Sequence, residues 1–262
     1  MAYFTIKLYS NSLCRGTSFE MIIPNDRRDP APWDSDASKE EKPMRTLFLL
    51  HGYTGSAWSW IPEELAAKYN VALVMPNGEN GFWLDGRSTG HKYCTFIGEE
   101  LPNYINKTFG LDMSPENLGV LGFSMGGFGA LHTALAYPDR FGKAGAMSSA
   151  LIVHGVADMK EGEGNDVANY DYYNECFGNP ADVLTSENNP ETLVDKLIRE
   201  NKKLPDIYMC CGTEDFLLGP NRDFHSFLES RNVDHVYKES KGGHDFVFWN
   251  EYSEKILEWM FG

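Results

Sequence analysis

The sequence has little positive charge and no long apolar run, and both shortages exclude classes of function. Lys and Arg number 23 against 38 Asp and Glu, which gives a formal net charge of −15. Binding to nucleic-acid phosphates or to anionic lipid needs clustered Lys and Arg. No apolar stretch approaches the roughly 20 residues that span a bilayer. We therefore expect neither a nucleic-acid nor a membrane partner.

Cysteines and cofactor motifs are also scarce. The five cysteines are an odd number without metal-ligand spacing, and the adjacent Cys210 and Cys211 lie in an apolar run, where they pack as small hydrophobic residues. No G-x-x-x-x-G-K-[ST] or G-x-G-x-x-G motif follows a predicted strand. We expect no cofactor and no metal.

The first residues, MAYFTIKLYSNSL, lack the basic and then apolar regions of a signal peptide. Cysteines without a disulfide framework are typical of a reducing compartment. Together these features predict a cytoplasmic protein.

The apolar pattern predicts an α/β fold in a single domain, residues 1–262. Two alternating segments, 3–10 and 17–24, read as antiparallel strands, and the polar, Pro-containing segment 25–44 reads as a surface loop. Short apolar runs that end in Gly, Ser or polar residues then alternate with segments of helical period. The runs are 45–52, 71–78, 117–124, 143–149, 206–212 and 233–240, and the helical segments are 61–69, 98–109 and 246–261. This alternation is typical of a mostly parallel sheet with helices on both faces.

Residues 151–204 interrupt the alternation. They carry 11 acidic and 5 basic residues, with the aromatic cluster NYDYYNECF. The segment is too short to bury a core of its own. We interpret it as an insertion over the carboxyl ends of the strands.

The segment GFSMG, residues 122–126, joins a predicted strand directly to a predicted helix. Such a corner strains its central residue, and the residues two before and two after it must be small because the backbones nearly touch. Gly122 and Gly126 meet that need. The corner projects the Ser124 hydroxyl at the tip of the sheet, which makes Ser124 a candidate nucleophile.

A serine nucleophile needs a base, and the base needs an acid to orient it. His244 lies in a Gly-flanked loop after the last predicted strand, and Asp215 follows the strand 206–212. Glu214 is the nearest rival to Asp215, while Asp245 is too close in sequence to His244 to reach its far nitrogen. The chain order Ser, Asp, His is the one expected on this fold.

Two backbone N–H groups are candidates for the oxyanion hole, those of Met125 and Tyr53. Met125 follows Ser124, and Tyr53 follows the strand that ends in His51 and Gly52. Candidate walls of the substrate pocket are aromatic residues that follow strand ends or belong to the insertion. They are Trp58, Trp60 and Trp83, with Phe82, Tyr170, Tyr172 and Tyr173.

Six segments in order, LLHGYTGSAWSW, VMPNGENGFW, EELP, GFSMGGFGA, CGTEDFL and GGHDFVFW, resemble the esterase D family of α/β-hydrolases. Within it, the chain is most similar to bacterial carboxylesterases of the tributyrin-esterase type. The resemblance implies hydrolysis of small-molecule esters with short acyl chains, with Ser124, Asp215 and His244 as the triad and oxyanion donation near Tyr53.

Other activities stay open. S-formylglutathione hydrolases are related, but their serine motif resembles G-H-S-M-G-G, whereas Phe123 stands before Ser124 here. Other relatives cleave acetyl or feruloyl esters of plant polysaccharide. A non-catalytic binding protein on the same fold is a further alternative, although such proteins usually lose a triad member. A homo-oligomer is also compatible with the sequence.

Overall fold

The computed structural model describes residues 1–24 and 43–262, so most of the predicted surface loop 25–44 lies outside the described residues. Eight strands occur in the described part: β1 Ala2–Ser10, β2 Arg15–Ile23, β3 Arg45–Leu50, β4 Val71–Pro76, β5 Leu118–Phe123, β6 Lys143–Met147, β7 Asp206–Gly212 and β8 Val236–Ser240. The α-helices there are α1 Glu63–Tyr69, α2 Tyr93–Thr95, α3 Leu101–Phe109, α4 Met125–Ala136, α5 Val153–Ala157, α6 Tyr170–Phe177, α7 Pro190–Arg199, α8 Leu218–Ser230 and α9 Phe246–Phe261. A π-helical turn, Phe96–Glu100, joins α2 to α3, and a 3₁₀ helix covers Pro180–Thr185.

The strands form one sheet in the order β1-β2-β4-β3-β5-β6-β7-β8. β2 pairs antiparallel with β1 and β4, and all other neighbours are parallel. The predicted α/β-hydrolase architecture is confirmed. The chain leaves β3 for β4 on one side and returns to β5 on the other, so the loops after β3 and β5 meet at a switch point, where α/β sheets bind ligands.

Both faces of the sheet are buried, because its central strands are apolar at every position. Along β3, Phe48 faces one layer while Leu47 and Leu49 face the other. Side chains of α1 and α9 lie in one layer, and those of α3, α4, α7 and α8 lie in the opposite one. This two-sided packing fixes the strand ends that carry the candidate site.

Side chains from 151–204 belong to the same buried layer as α4. Among them, Phe177 and Val194 are almost completely buried. The segment contributes α5, α6, the 3₁₀ helix and α7 between β6 and β7. It therefore shares the core of the sheet.

Among residues 1–24 and 43–262, no helix combines the length and the apolar character that crossing a membrane requires.

Candidate active site

Ser124 occupies the corner between β5 and α4, with φ 55° and ψ −123°. A positive φ is strained for a residue with a side chain. The surroundings hold it there: Ser124 N–H donates to Met147 O at 2.9 Å, and its carbonyl accepts from Ala150 N–H at 3.0 Å. A Cβ on Gly122 would lie 2.1 Å from Gly126 O, and a Cβ on Gly126 would lie 1.9 Å from Leu50 O. Only glycine fits at either position.

Three loops at the carboxyl edge of the sheet bring Ser124, His244 and Asp215 together. His244 Nε2 lies 2.9 Å from Ser124 Oγ, and His244 Nδ1 lies 2.9 Å from Asp215 Oδ2. The Asp215 side chain is completely buried, whereas the imidazole is partly exposed. A carboxylate on Nδ1 favours the tautomer that leaves Nε2 free to accept a proton from the serine hydroxyl.

Asp215 is held as a carboxylate by its hydrogen bonds. Burial by itself raises the pKa of this carboxyl, but bonds from His244, Leu217 N–H and Ser148 bring the pKa below its ordinary value. Leu217 N–H donates to Oδ1 at 2.8 Å. Trp249 Nε1 donates to Ser148 Oγ at 3.1 Å, which leaves the serine proton free to serve the carboxylate.

The two rival carboxylates lie outside this hydrogen-bond chain. Glu214 is exposed, and its backbone N–H donates to Gly242 O. Asp245 caps α9, since its Oδ1 accepts from the N–H groups of Val247 at 2.9 Å and Phe248 at 3.1 Å. Neither carboxylate is bonded to His244 Nδ1, whose carboxylate partner is Asp215.

The six other histidines have partners outside this arrangement. These partners are Gly78 for His51, Glu187 for His132, Glu175 for His91 and Glu191 for His154, while His225 and His235 bond to each other.

The two candidate oxyanion donors lie on adjacent loops. Met125 N–H is at the first position of α4, where a helix has no internal acceptor for it. Thr54 N–H donates to Asn80 and Gly55 N–H to Gly52 O, while Tyr53 N–H has no acceptor among the described residues. Both N–H groups are therefore available to a ligand.

His51 holds the loop that carries Tyr53. Burial lowers the pKa of its imidazole, which favours the neutral form. Gly78 N–H donates to Nε2 at 3.0 Å, so the proton is on Nδ1, 2.8 Å from Gly52 O. Trp83 Nε1 donates to His51 O at 3.2 Å. His51 therefore has a structural role in the second loop.

The aromatic pocket candidates separate by burial. Trp83 is 0% exposed and packs against Gly129, so we correct its assignment from pocket wall to core. Trp60 is also buried and donates its indole N–H to Ser253 Oγ at 3.2 Å. Trp58 is 42% exposed and contacts Phe246 at the surface.

The candidates near residues 151–204 also divide by burial. Phe82 and Tyr173 are buried, whereas Tyr170 and Tyr172 are partly exposed. The Tyr172 ring contacts Tyr53, with 6.0 Å between centroids, so Tyr172 lies against the candidate oxyanion loop.

Several residues that support the site escaped the sequence reasoning. Ser148 directly follows β6, so its place at a strand end was a usable signal. Phe216, next to Asp215, contacts the ring of His244. Phe246, next to Asp245, contacts Trp249. Trp249 gave no comparable signal, because its position on α9 also suits ordinary core packing.

Within the described part of the chain, no three His, Cys, Asp or Glu side chains are grouped to hold a metal ion. The chemistry that this geometry offers is attack by an activated serine hydroxyl, with two N–H groups available to a developing oxyanion.

The chain is similar to known esterases and serine hydrolases. A family model described as "Putative esterase" matches residues 29–258. An acetyl esterase from Caldicellulosiruptor saccharolyticus is 38% identical over 264 residues, covering 99% of this chain and 98% of the relative. Two solved Staphylococcus aureus structures are each 28% identical and cover 100% of this chain. One is the substrate-bound fluorophosphonate-binding serine hydrolase F, with a TM-score of 0.83 and 98% of its chain covered. The other is an S-formylglutathione hydrolase, with a TM-score of 0.80 and 99% of its chain covered.

The match to the family model covers most of the chain, and the acetyl esterase aligns over almost its whole length. The chain therefore belongs to the esterase family and is a serine carboxylic ester hydrolase with the α/β-hydrolase fold.

Proposed function

We propose that the chain hydrolyses short-chain carboxylic esters through an acyl-enzyme intermediate on Ser124. His244 is the general base and then the general acid, and Asp215 orients it. The observation that carries this proposal is the hydrogen-bond chain from Ser124 Oγ through both nitrogens of His244 to a buried carboxylate.

In acylation, Ser124 Oγ attacks the ester carbonyl carbon while its proton passes to His244 Nε2. The carbonyl oxygen becomes an oxyanion, which accepts from Met125 N–H and Tyr53 N–H. The tetrahedral intermediate collapses as the bond to the leaving oxygen breaks, and that oxygen takes the proton from Nε2. Water then repeats the sequence on the acyl-enzyme, which releases the carboxylic acid and restores Ser124.

Two observations support a short acyl chain. Phe82, Phe128 and Phe177 pack against one another with ring centroids 4.8–5.7 Å apart, and Phe128 N–H donates to Ser124 O at 3.1 Å, so this packed aromatic cluster adjoins the corner that holds Ser124. A relative that is 38% identical over 99% of the chain is an acetyl esterase. We propose acetyl to butyryl esters as substrates, in line with the tributyrin-esterase resemblance.

The test is kcat/KM for p-nitrophenyl esters of two to twelve carbons, each below its critical micelle concentration. We expect a maximum between two and four carbons. Each buried CH₂ is worth only about 0.8 kcal/mol, so long chains win only in a deep apolar tunnel. A maximum at ten or twelve carbons would contradict the proposal.

A second candidate is hydrolysis of S-formylglutathione, which the 28% identity to the Staphylococcus aureus hydrolase favours. The same panel decides between the two when S-formylglutathione is added to it. A kcat/KM for that thioester well above every oxygen ester would replace the esterase proposal.

We propose that residues 1–262 form a single catalytic domain with 151–204 as its insertion. We also propose that the protein works in a reducing, cytoplasmic location. The shared core supports the first part. The second is supported by the five cysteines, all within the described residues and all free thiols.

A further inference from the structure

The phenyl ring of Phe216 is exposed beside the candidate catalytic histidine. We propose that it is the binding surface for an apolar, preferably aromatic, leaving alcohol of the ester. This specificity role rests on the function proposed above, and it concerns the half of the substrate that the acyl-chain argument does not address.

Phe216 directly follows Asp215 in the loop after β7. Its ring centroid lies 4.7 Å from that of His244, with 48° between the planes, and the residue is 74% exposed. Trp249 also contacts the imidazole, at 4.9 Å and 86°, but Trp249 is buried. Trp249 therefore supports the histidine from within the fold, while most of the Phe216 surface stays open to a ligand.

The chemistry locates the leaving group beside this ring. The leaving oxygen must take its proton from His244 Nε2, so it lies within about 3.2 Å of that nitrogen. The carbon attached to that oxygen is then close to whatever lines the imidazole. Phe216 is the exposed aromatic ring in contact with the imidazole among the described residues.

The topology separates the leaving group from the oxyanion. Tyr53 and Met125 follow β3 and β5, which are neighbours, whereas Phe216 follows β7, with β6 between β5 and β7. The carbonyl oxygen points toward the first pair of loops. Because the leaving oxygen must also face His244 Nε2, whose ring contacts Phe216, the alcohol is the part of the ester that lies toward Phe216.

A second partly exposed aromatic residue lies one contact away from this histidine. Phe246 is 38% exposed and packs against Trp249, which itself contacts the imidazole, and against Trp58, which is 42% exposed. Single exposed apolar residues are ordinary, but a group of them beside a reactive site marks a binding surface. An aryl leaving group would cover the exposed ring of Phe216, whereas a small alcohol such as ethanol would leave that ring in contact with water.

The experiment compares wild type with Phe216→Ala on two acetates, 1-naphthyl acetate and ethyl acetate. For the naphthyl ester, stopped-flow detection of naphthol gives the acylation rate as a burst and the deacylation rate as the steady state. Tyr9→Ala is the matched control, since Tyr9 is a 65% exposed aromatic on β1. Phe216→Leu keeps an apolar side chain and should restore part of the effect.

We expect Phe216→Ala to slow acylation by naphthyl acetate about five- to tenfold, the size of one lost aromatic contact. Ethyl acetate kcat/KM and the deacylation rate should change less than twofold, because naphthol has left before deacylation.

Equal slowing of acylation and deacylation would overturn the proposal, since it would mean that Phe216 only positions His244. No slowing of either step would also overturn it, as would a wild-type dimer that Phe216→Ala dissociates. If Ser124→Ala retains activity, it is the acyl-enzyme function that fails. If wild type shows no burst, acylation limits turnover, and the steady-state rate of naphthol release then gives the acylation rate directly.

Discussion

At the scale of single residues, the site depends on side chains that are held in one orientation by their hydrogen bonds. Asp215 Oδ2 is bonded to His244, and its Oδ1 accepts from Leu217 N–H, so the carboxylate cannot turn away from the imidazole. Ser124 is strained and held by hydrogen bonds to its backbone N–H and carbonyl groups. These constraints set the geometry before a substrate arrives, which is the condition for efficient proton transfer.

The first prediction concerns Asp215. Asp215→Asn should lower kcat for p-nitrophenyl acetate by roughly 10⁴-fold, because an amide favours the wrong histidine tautomer. Glu214→Gln is the matched control, since Glu214 is adjacent but exposed, and it should change kcat less than threefold. A severe loss in Glu214→Gln with a mild one in Asp215→Asn would reverse the assignment of the acid.

At the scale of elements, the corner between β5 and α4 is the critical junction. Helix α4 starts at Met125, one residue after Ser124, and its first turn passes against the end of β3. Close approach of this kind is possible only without a side chain.

The second prediction is that Gly126→Ala destabilises the fold by about 3 kcal/mol, because its Cβ meets the backbone at Leu50 O. Gly219→Ala is the control in α8, where a Cβ meets nothing within 4 Å, and it should stabilise by about 0.5 kcal/mol. Urea unfolding followed by circular dichroism measures both. Equal midpoints for Gly126→Ala and wild type would contradict the close approach.

The elements were largely predictable, because apolar runs bounded by glycine set the strands. The predicted helix 246–261 coincides with α9, and the predicted strand 206–212 coincides with β7. The helix predicted at 98–109 begins within a π-helical turn, Phe96–Glu100, and α3 itself starts at Leu101, an irregularity that periodicity does not reveal. Trp83 and Trp58 both lie near strand ends in sequence, and only tertiary packing buries one and exposes the other.

At the scale of the whole molecule, residues 151–204 are joined to helix α4 by a hydrogen bond as well as by apolar packing. His132, buried in α4, has Nε2 2.9 Å from the carbonyl oxygen of Glu187, so it links the helix after Ser124 to this segment. Burial lowers the pKa of His132 to about 4.

The third prediction is a loss of stability in acid. The unfolded state binds a proton at His132 near pH 6.5 and the folded state only near pH 4, so stability falls as pH decreases between these values. From pH 7 to pH 5 this group should cost about 2 kcal/mol. The variant His132→Gln keeps a donor for the Glu187 carbonyl oxygen. Measured by urea unfolding, its free energy of unfolding should fall between pH 7 and pH 5 by about 2 kcal/mol less than that of wild type. An identical pH dependence in both proteins would mean that His132 titrates normally when folded.

The central claim is a covalent acyl-enzyme on Ser124, and mass spectrometry of acid-quenched protein tests it most directly. Wild type is mixed with p-nitrophenyl acetate, quenched within the burst, and digested. We predict one added acetyl group on the peptide that contains Ser124, its disappearance on longer incubation, and its absence in Ser124→Ala. Stable acetylation of another residue, or hydrolysis that persists in Ser124→Ala, would contradict the account.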